Sequence, residues 1–116
     1  MVFKIEMVDD VVVLIPAGNL VASEVEPFKA QFDKLIEKKF RCVLLDMSRI
    51  NFLDSSGLGA VIAANKLLAA NSGTLVCAAL QDNVLKVFRV TRADQKLAVV
   101  PTQADGLLLI KQQKNR

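Results

Sequence analysis

Asn51-Phe52-Leu53-Asp54-Ser55-Ser56-Gly57-Leu58-Gly59-Ala60 is the stretch on which the fold turns, because an apolar strand ends there and a small-residue helix begins. One acidic residue, two adjacent hydroxyls and two glycines stand where the first amide N–H groups of a helix lack intrahelical partners. Such a terminus attracts anions, so the segment suits a phosphate. That phosphate either belongs to a bound ligand or is attached to a serine as a charge switch.

Working outward, Cys42-Val43-Leu44-Leu45-Asp46 is a continuous apolar run, as an interior strand covered on both faces requires. The helix is expected over 55–70, stopped by Asn71-Ser72-Gly73, and a second buried strand over 74–79 follows. A further helix is expected over 82–90 with Val84, Val87 and Phe88 on one face, then a short edge strand over 97–100. A closing helix has Thr102 and Asp105 at its cap and Leu107, Leu108 and Ile110 for docking.

Toward the N-terminus, 3–7 and 11–16 read as a hairpin around Val8-Asp9-Asp10. The first helix opens with Ser23 and Glu26 at capping-box spacing and Pro27 in its first turn. It carries Val25, Phe28, Phe32, Leu35 and Ile36 at helical periodicity and is expected to end near Lys38. The alternation of elements predicts one α/β domain with a mixed, mostly parallel sheet of four to five strands and about four helices. The domain is expected over 1–110, with 111–116 a short, loose, basic tail.

Composition narrows the function. The 116 residues suit one core, and although 53% are hydrophobic no apolar run reaches the roughly 18–20 residues that cross a bilayer. Met1-Val2-Phe3-Lys4-Ile5-Glu6 alternates and does not resemble a secretory signal, so a cytoplasmic protein with no direct membrane insertion is expected. Cys42 and Cys77 read as buried, reduced thiols. The chain contains no histidine, which argues against ordinary catalytic triads and zinc sites; no metal or cofactor is expected. A serine hydrolase would also lack its Gly-x-Ser-x-Gly elbow, so catalysis is not expected. With a net charge of +3 and scattered basic residues, nucleic-acid binding is not expected either. Asp46 has no phosphate loop or second acid beside it, and is read as ending its strand.

Leu44-Leu45-Asp46-Met47-Ser48 followed by Asn51-Phe52-Leu53-Asp54-Ser55-Ser56-Gly57-Leu58-Gly59 resembles the signature of STAS domains, and most closely that of bacterial anti-sigma factor antagonists. The resemblance extends over nearly the whole chain through Gly18-Asn19-Leu20, Gly73 and Val87-Phe88. It implies a partner-switching cycle. The unmodified antagonist binds an anti-sigma factor, usually a serine kinase of the histidine-kinase-like ATPase fold, and a serine phosphatase resets the phosphorylated form. By that resemblance Ser55 is the phosphoacceptor, with Asp54, Ser56, Gly57, Leu58, Leu20 and Val21 forming the partner surface. The chain departs from the family at Val21, where an aspartate is common, and at Arg92-Ala93, where Gly-Leu is usual. A stand-alone regulatory subunit of an ABC-transporter ATPase complex is the alternative, distinguished by which ATPase a pull-down captures.

The residues themselves carry plainer readings. Ser55 is an ordinary helix cap on general statistics. Asp54 either caps the turn or positions the acceptor, and Ser56 is a helix-start hydroxyl. Gly57 and Gly59 cost about 1 kcal/mol each relative to Ala inside a helix, which suggests close approach by another surface. Leu20, Val21 and Leu58 form either an exposed apolar rim or part of the core.

Overall fold

A computed structural model describes residues 1–114. β1 (Val2–Val8) and β2 (Val11–Leu20) pair as an antiparallel hairpin closed by Asp9 and Asp10. Asp9 adopts φ 54°, a left-handed conformation that aspartate tolerates better than most residues. β3 (Cys42–Asp46), β5 (Thr74–Ala78) and β6 (Ala98–Val100) continue the sheet in parallel, in the order β1-β2-β3-β5-β6. The sixth strand, β4 (Ile50–Leu53), pairs with the far end of β2.

That sixth strand corrects the expected four to five. β2 runs four residues past Pro16, and its register shifts between Gly18 and Asn19, where Gly18 takes φ 128° and donates its N–H to the Arg49 carbonyl at 3.1 Å. The bend carries β2 from β3, which it pairs through Val12–Leu14, to β4. Gly18 supplies a backbone angle that side-chain-bearing residues rarely adopt.

From β2 to β6 each crossover steps in the same direction across the sheet. Right-handed crossovers therefore place α1 (Val25–Glu37), α2 (Ser55–Ala70) and α3 (Asp82–Val90) on one face. Alternation along β2 then divides the core. Val12 and Leu14 meet Phe28, Phe32, Val61, Leu68 and Phe88 beneath the three helices, whereas Val11, Val13 and Ile15 join Leu44, Val76 and Ile110 on the opposite face. α4 (Gln103–Lys114) covers that second face.

Helix ends differ from expectation in instructive ways. A 3₁₀ turn, Ala22–Glu24, precedes α1 and makes Glu24 its N-cap, so Ser23 and Glu26 form no capping box; Pro27 does lie in the first turn. α2 stops in a Schellman motif, with Ser72 N–H on the Ala69 carbonyl at 3.1 Å and Gly73 N–H on the Leu68 carbonyl at 2.7 Å. Ser72, at φ 60°, takes the left-handed position. Gly73 serves a different need, because a Cβ there would stand 2.5 Å from the Arg41 carbonyl oxygen. Arg92, where the family usually has glycine, likewise sits at φ 61° after α3, and Ala93 is buried.

The expected tail is largely helix. Thr102 Oγ1 accepts the Asp105 N–H at 3.1 Å as anticipated, and α4 continues through Lys114, whose ammonium bonds Asp10 at 2.9 Å and is held above its ordinary pKa by that bond. Residues 115 and 116 lie outside the described residues. Ile110 docks in the core, but Leu108 faces outward at 56% exposure.

Cys77 is fully buried, whereas Cys42 is only half-buried, correcting the reading of two core thiols. Burial pushes the Cys77 thiol from 9.0 up to about 12. The unfolded chain therefore ionises this thiol first, so its contribution to stability is complete below pH 9 and is lost as pH rises toward 12. Urea unfolding is expected to reveal a loss of about 1 kcal/mol per pH unit above pH 9, and Cys77→Ala should remove that part of the slope. Identical slopes in the two proteins would refute the assignment.

Candidate functional site: the clasp at the start of α2

The motif turn lies at the carboxyl end of the sheet, where β4 delivers the chain directly into α2. Asp54 is the residue that organises it. One carboxylate oxygen accepts the Gly57 N–H at 2.8 Å and so caps α2, while the other accepts the Ala22 N–H at 3.2 Å. The Asp54 N–H donates in turn to the Leu20 carbonyl at 3.3 Å. These three bonds clasp the end of β2 to the first turn of the helix. Asp54 thus caps the turn, and the serines are left to other roles.

Gly57 is the second half of the clasp. It is buried, and a Cβ there would collide with the Leu20 carbonyl oxygen. Gly59 differs: it is exposed, and a Cβ would meet nothing within 4 Å. Of the two glycines read as permitting close approach, Gly57 serves internal packing and Gly59 stands open toward solvent.

Ser55 and Ser56 are both exposed on the first turn of α2. Ser55 is the first helical residue rather than the cap, which corrects its structural reading. As the first residue of α2 it lies at the helix N-terminus, where the helix dipole favours negative charge. Of the two readings of the apolar residues near the turn, the core one holds for Leu20 and Leu58, which are 0% and 7% exposed. Val21 is half-buried.

Phe52, two residues before Asp54, is 50% exposed and is the large apolar side chain that the motif turn presents. Burial at Ile50 and Leu53 with exposure at Asn51 and Phe52 departs from simple alternation, which is why the sequence pattern did not single it out. An amide lattice ties β4 to α3: Gln81 Nε2 donates to the Ser48 carbonyl at 2.9 Å and to Asn51 Oδ1 at 3.1 Å. Asn83 Nδ2 donates to the Asn51 carbonyl at 2.6 Å. No sequence signal pairs residues some thirty positions apart. Asp46, buried, accepts the Ser48 N–H at 2.9 Å and Gln103 Nε2 at 3.0 Å, fixing the turn after β3. On the flank of the site, a groove of about 420 Å³ runs between α1 and α2 over Val25, Phe32, Ala60 and Ala64. Among the described residues no group of three or more His, Cys, Asp or Glu side chains is placed to hold a metal. No helix there is long and apolar enough to cross a membrane.

A mixed sheet with three crossover helices on one face defines a small α/β domain, here with a serine displayed at the sheet's carboxyl edge. The STAS domain model matches residues 3–106, and the chain belongs to that family. A Thermotoga maritima protein named as an anti-sigma factor antagonist is 26% identical over 106 residues, covering 90% of this chain and 94% of that protein. The crystal structure of a Thermotoga maritima protein of the same description superposes with a TM-score of 0.88 at 24% identity, over 94% of each chain. The phosphorylated form of the Bacillus cell fate determinant SpoIIAA superposes with a TM-score of 0.69 at 25% identity, covering 91% of this chain and 96% of that one.

Proposed function

We propose that this protein is an anti-sigma factor antagonist that works by phosphorylation-controlled partner switching, with Ser55 as the acceptor. The observation that carries the reading is the division of labour at the start of α2. Asp54 holds the clasp with both carboxylate oxygens, leaving the exposed Ser55 hydroxyl available for transfer without disturbing the fold. A homologous relationship to proteins named anti-sigma factor antagonist, and structural likeness to SpoIIAA, support the same reading.

In this cycle the unmodified protein docks on an anti-sigma factor that is also a serine kinase of the histidine-kinase-like ATPase fold. The docking surface comprises Ser55, Ser56, Gly59 and Phe52, with Val21 at its margin. Asp54 and Gly57 hold the turn from within. Transfer of a phosphoryl group to Ser55 adds about −1.5 to −2 charge beside the Asp54 carboxylate and ends the complex electrostatically. A serine phosphatase restores the hydroxyl. The protein itself acts as a binding module, in the cytoplasm, without catalysis of its own.

Intact-mass analysis after incubation with the genomically neighbouring kinase and ATP tests the acceptor. One phosphate is expected on the wild-type protein and on Ser56→Ala, and none on Ser55→Ala. Because Asp54 rather than Ser55 caps α2, Ser55→Ala is expected to keep its stability within about 0.5 kcal/mol, read by urea unfolding. Phosphate mapped to Ser56, or a Ser55→Ala protein that is unfolded at room temperature, would overturn the assignment. Capture of an ABC ATPase in place of a histidine-kinase-like ATPase would instead favour a transport-linked regulatory subunit.

A further inference from the structure

β1 forms one edge of the sheet, with β2 its one strand neighbour among the described residues. This single strand carries three exposed large hydrophobic residues: Val2 at 72%, Ile5 at 48% and Met7 at 50%. Proteins commonly blunt such an edge with lysine. Here Lys4 is present, but Glu6 lies two residues on along the same face and pairs with it at 3.1 Å. The strand is therefore electrically balanced rather than blunted.

The hairpin dictates which backbone groups are free. A two-residue turn makes Val8 and Val11 a hydrogen-bonded pair, and pairs alternate along an antiparallel ladder. Val8, Glu6, Lys4 and Val2 thus direct their backbone groups at β2, whereas Met7, Ile5 and Phe3 direct theirs outward. A second copy of β1 that pairs through these outward groups over at least five residues of the strand centres its two-fold axis on Lys4, Ile5 or Glu6. Centring on Lys4 sets the two Lys4 ammoniums face to face, and centring on Glu6 does the same to two carboxylates. Centring on Ile5 sets each Lys4 opposite Glu6 of the second copy, Ile5 opposite Ile5, and Phe3 opposite Met7. Opposite charges directly across a strand pair stabilise it and like charges destabilise it.

We propose that the β1 edge is a self-association surface whose occupant is a second copy of this chain, paired antiparallel about Ile5 into one continuous sheet. Two Lys4–Glu6 cross-strand ion pairs fix the register. The interface is isologous and closed, so it ends at the dimer and does not propagate into fibres. The proposal does not depend on the role of Ser55.

Sedimentation equilibrium of the full chain over a wide concentration range tests it, using wild type, Lys4→Glu, Glu6→Lys and the double reversal. The wild type is expected to form a reversible dimer. Each single reversal turns two attractive cross-strand pairs into two repulsive ones and should weaken dimerisation about tenfold or more. The double reversal restores opposite charges in the same register and should return to near wild-type affinity. The Lys4 and Glu6 side chains are 61% and 42% exposed, so circular dichroism should read the same fold throughout. A wild-type protein that stays monomeric at millimolar concentration, a dimer indifferent to the single reversals, or a double reversal as weak as either single one would each overturn the proposal.

Discussion

Stoichiometric phosphorylation of Ser55 is expected to weaken binding of the anti-sigma partner by about 30-fold or more. The argument starts from the Asp54 carboxylate, which is already committed to the Gly57 and Ala22 amides and cannot turn away from a new neighbour. A phosphate one residue on adds a second anion to a surface whose apolar element is the half-exposed Phe52. The phosphate itself is partly satisfied by the free amides of the helix terminus, so the domain keeps its fold. Docking then has to desolvate that charge against a partner surface shaped for a neutral hydroxyl. Mismatched charges at an interface typically cost about 2–5 kcal/mol, and every 1.4 kcal/mol is tenfold in affinity. Calorimetric titration of the phosphorylated protein into its partner reads the effect. Ser55→Asp should show a smaller loss because a carboxylate carries less charge and fewer acceptor oxygens. Equal affinity of the phosphorylated and unmodified forms would exclude an off-switch and favour a constitutive scaffold.

The second large effect concerns a buried residue of the turn. Gly57→Ala is expected to destabilise the protein by about 3 kcal/mol, because the added methyl group overlaps the Leu20 carbonyl oxygen. Relief requires α2 to move away from β2, which lengthens the Asp54 bonds to Gly57 and Ala22 together. Gly59→Ala is the matched control, with open space around its Cβ and an expected gain of about 0.5–1 kcal/mol from helix propensity. Urea unfolding of the two variants separates the cases. A Gly57→Ala protein within about 1 kcal/mol of wild type would show that the clasp yields readily and that the close approach of α2 to Leu20 does not require glycine. Gly59→Ala, though more stable, should bind the partner less tightly if the open position accommodates its approach.

The elements most legible from sequence are those in which local chemistry and tertiary role agree. α2 over 55–70 and α3 over 82–90 occur at their expected boundaries, because small-residue composition, apolar periodicity and stop signals point the same way. The sixth strand escapes the sequence pattern for one reason. β4 is four residues long, and only the bend of β2 at Gly18 supplies it with a partner. The capping box at Ser23 and Glu26 was a locally sound reading overridden by the 3₁₀ turn that carries Ala22 to Asp54.

At the site itself, the chain's own chemistry determined that an anion-compatible helix terminus would stand at residues 54–57, because cap, hydroxyl and glycine preferences act over one turn of backbone. The role of each side chain was decided only by tertiary structure. Asp54 became a two-ended clasp because β2 passes within hydrogen-bond reach of it, Leu20 and Leu58 were drawn into the core beneath α2, and Phe52 was left exposed three residues before Ser55. The pairing of Lys4 with Glu6 is written in the sequence, but that β1 is an open edge follows from sheet order. Local preferences are settled within a few residues, whereas burial, edge position and close approach depend on contacts between segments whose separation the sequence does not encode locally.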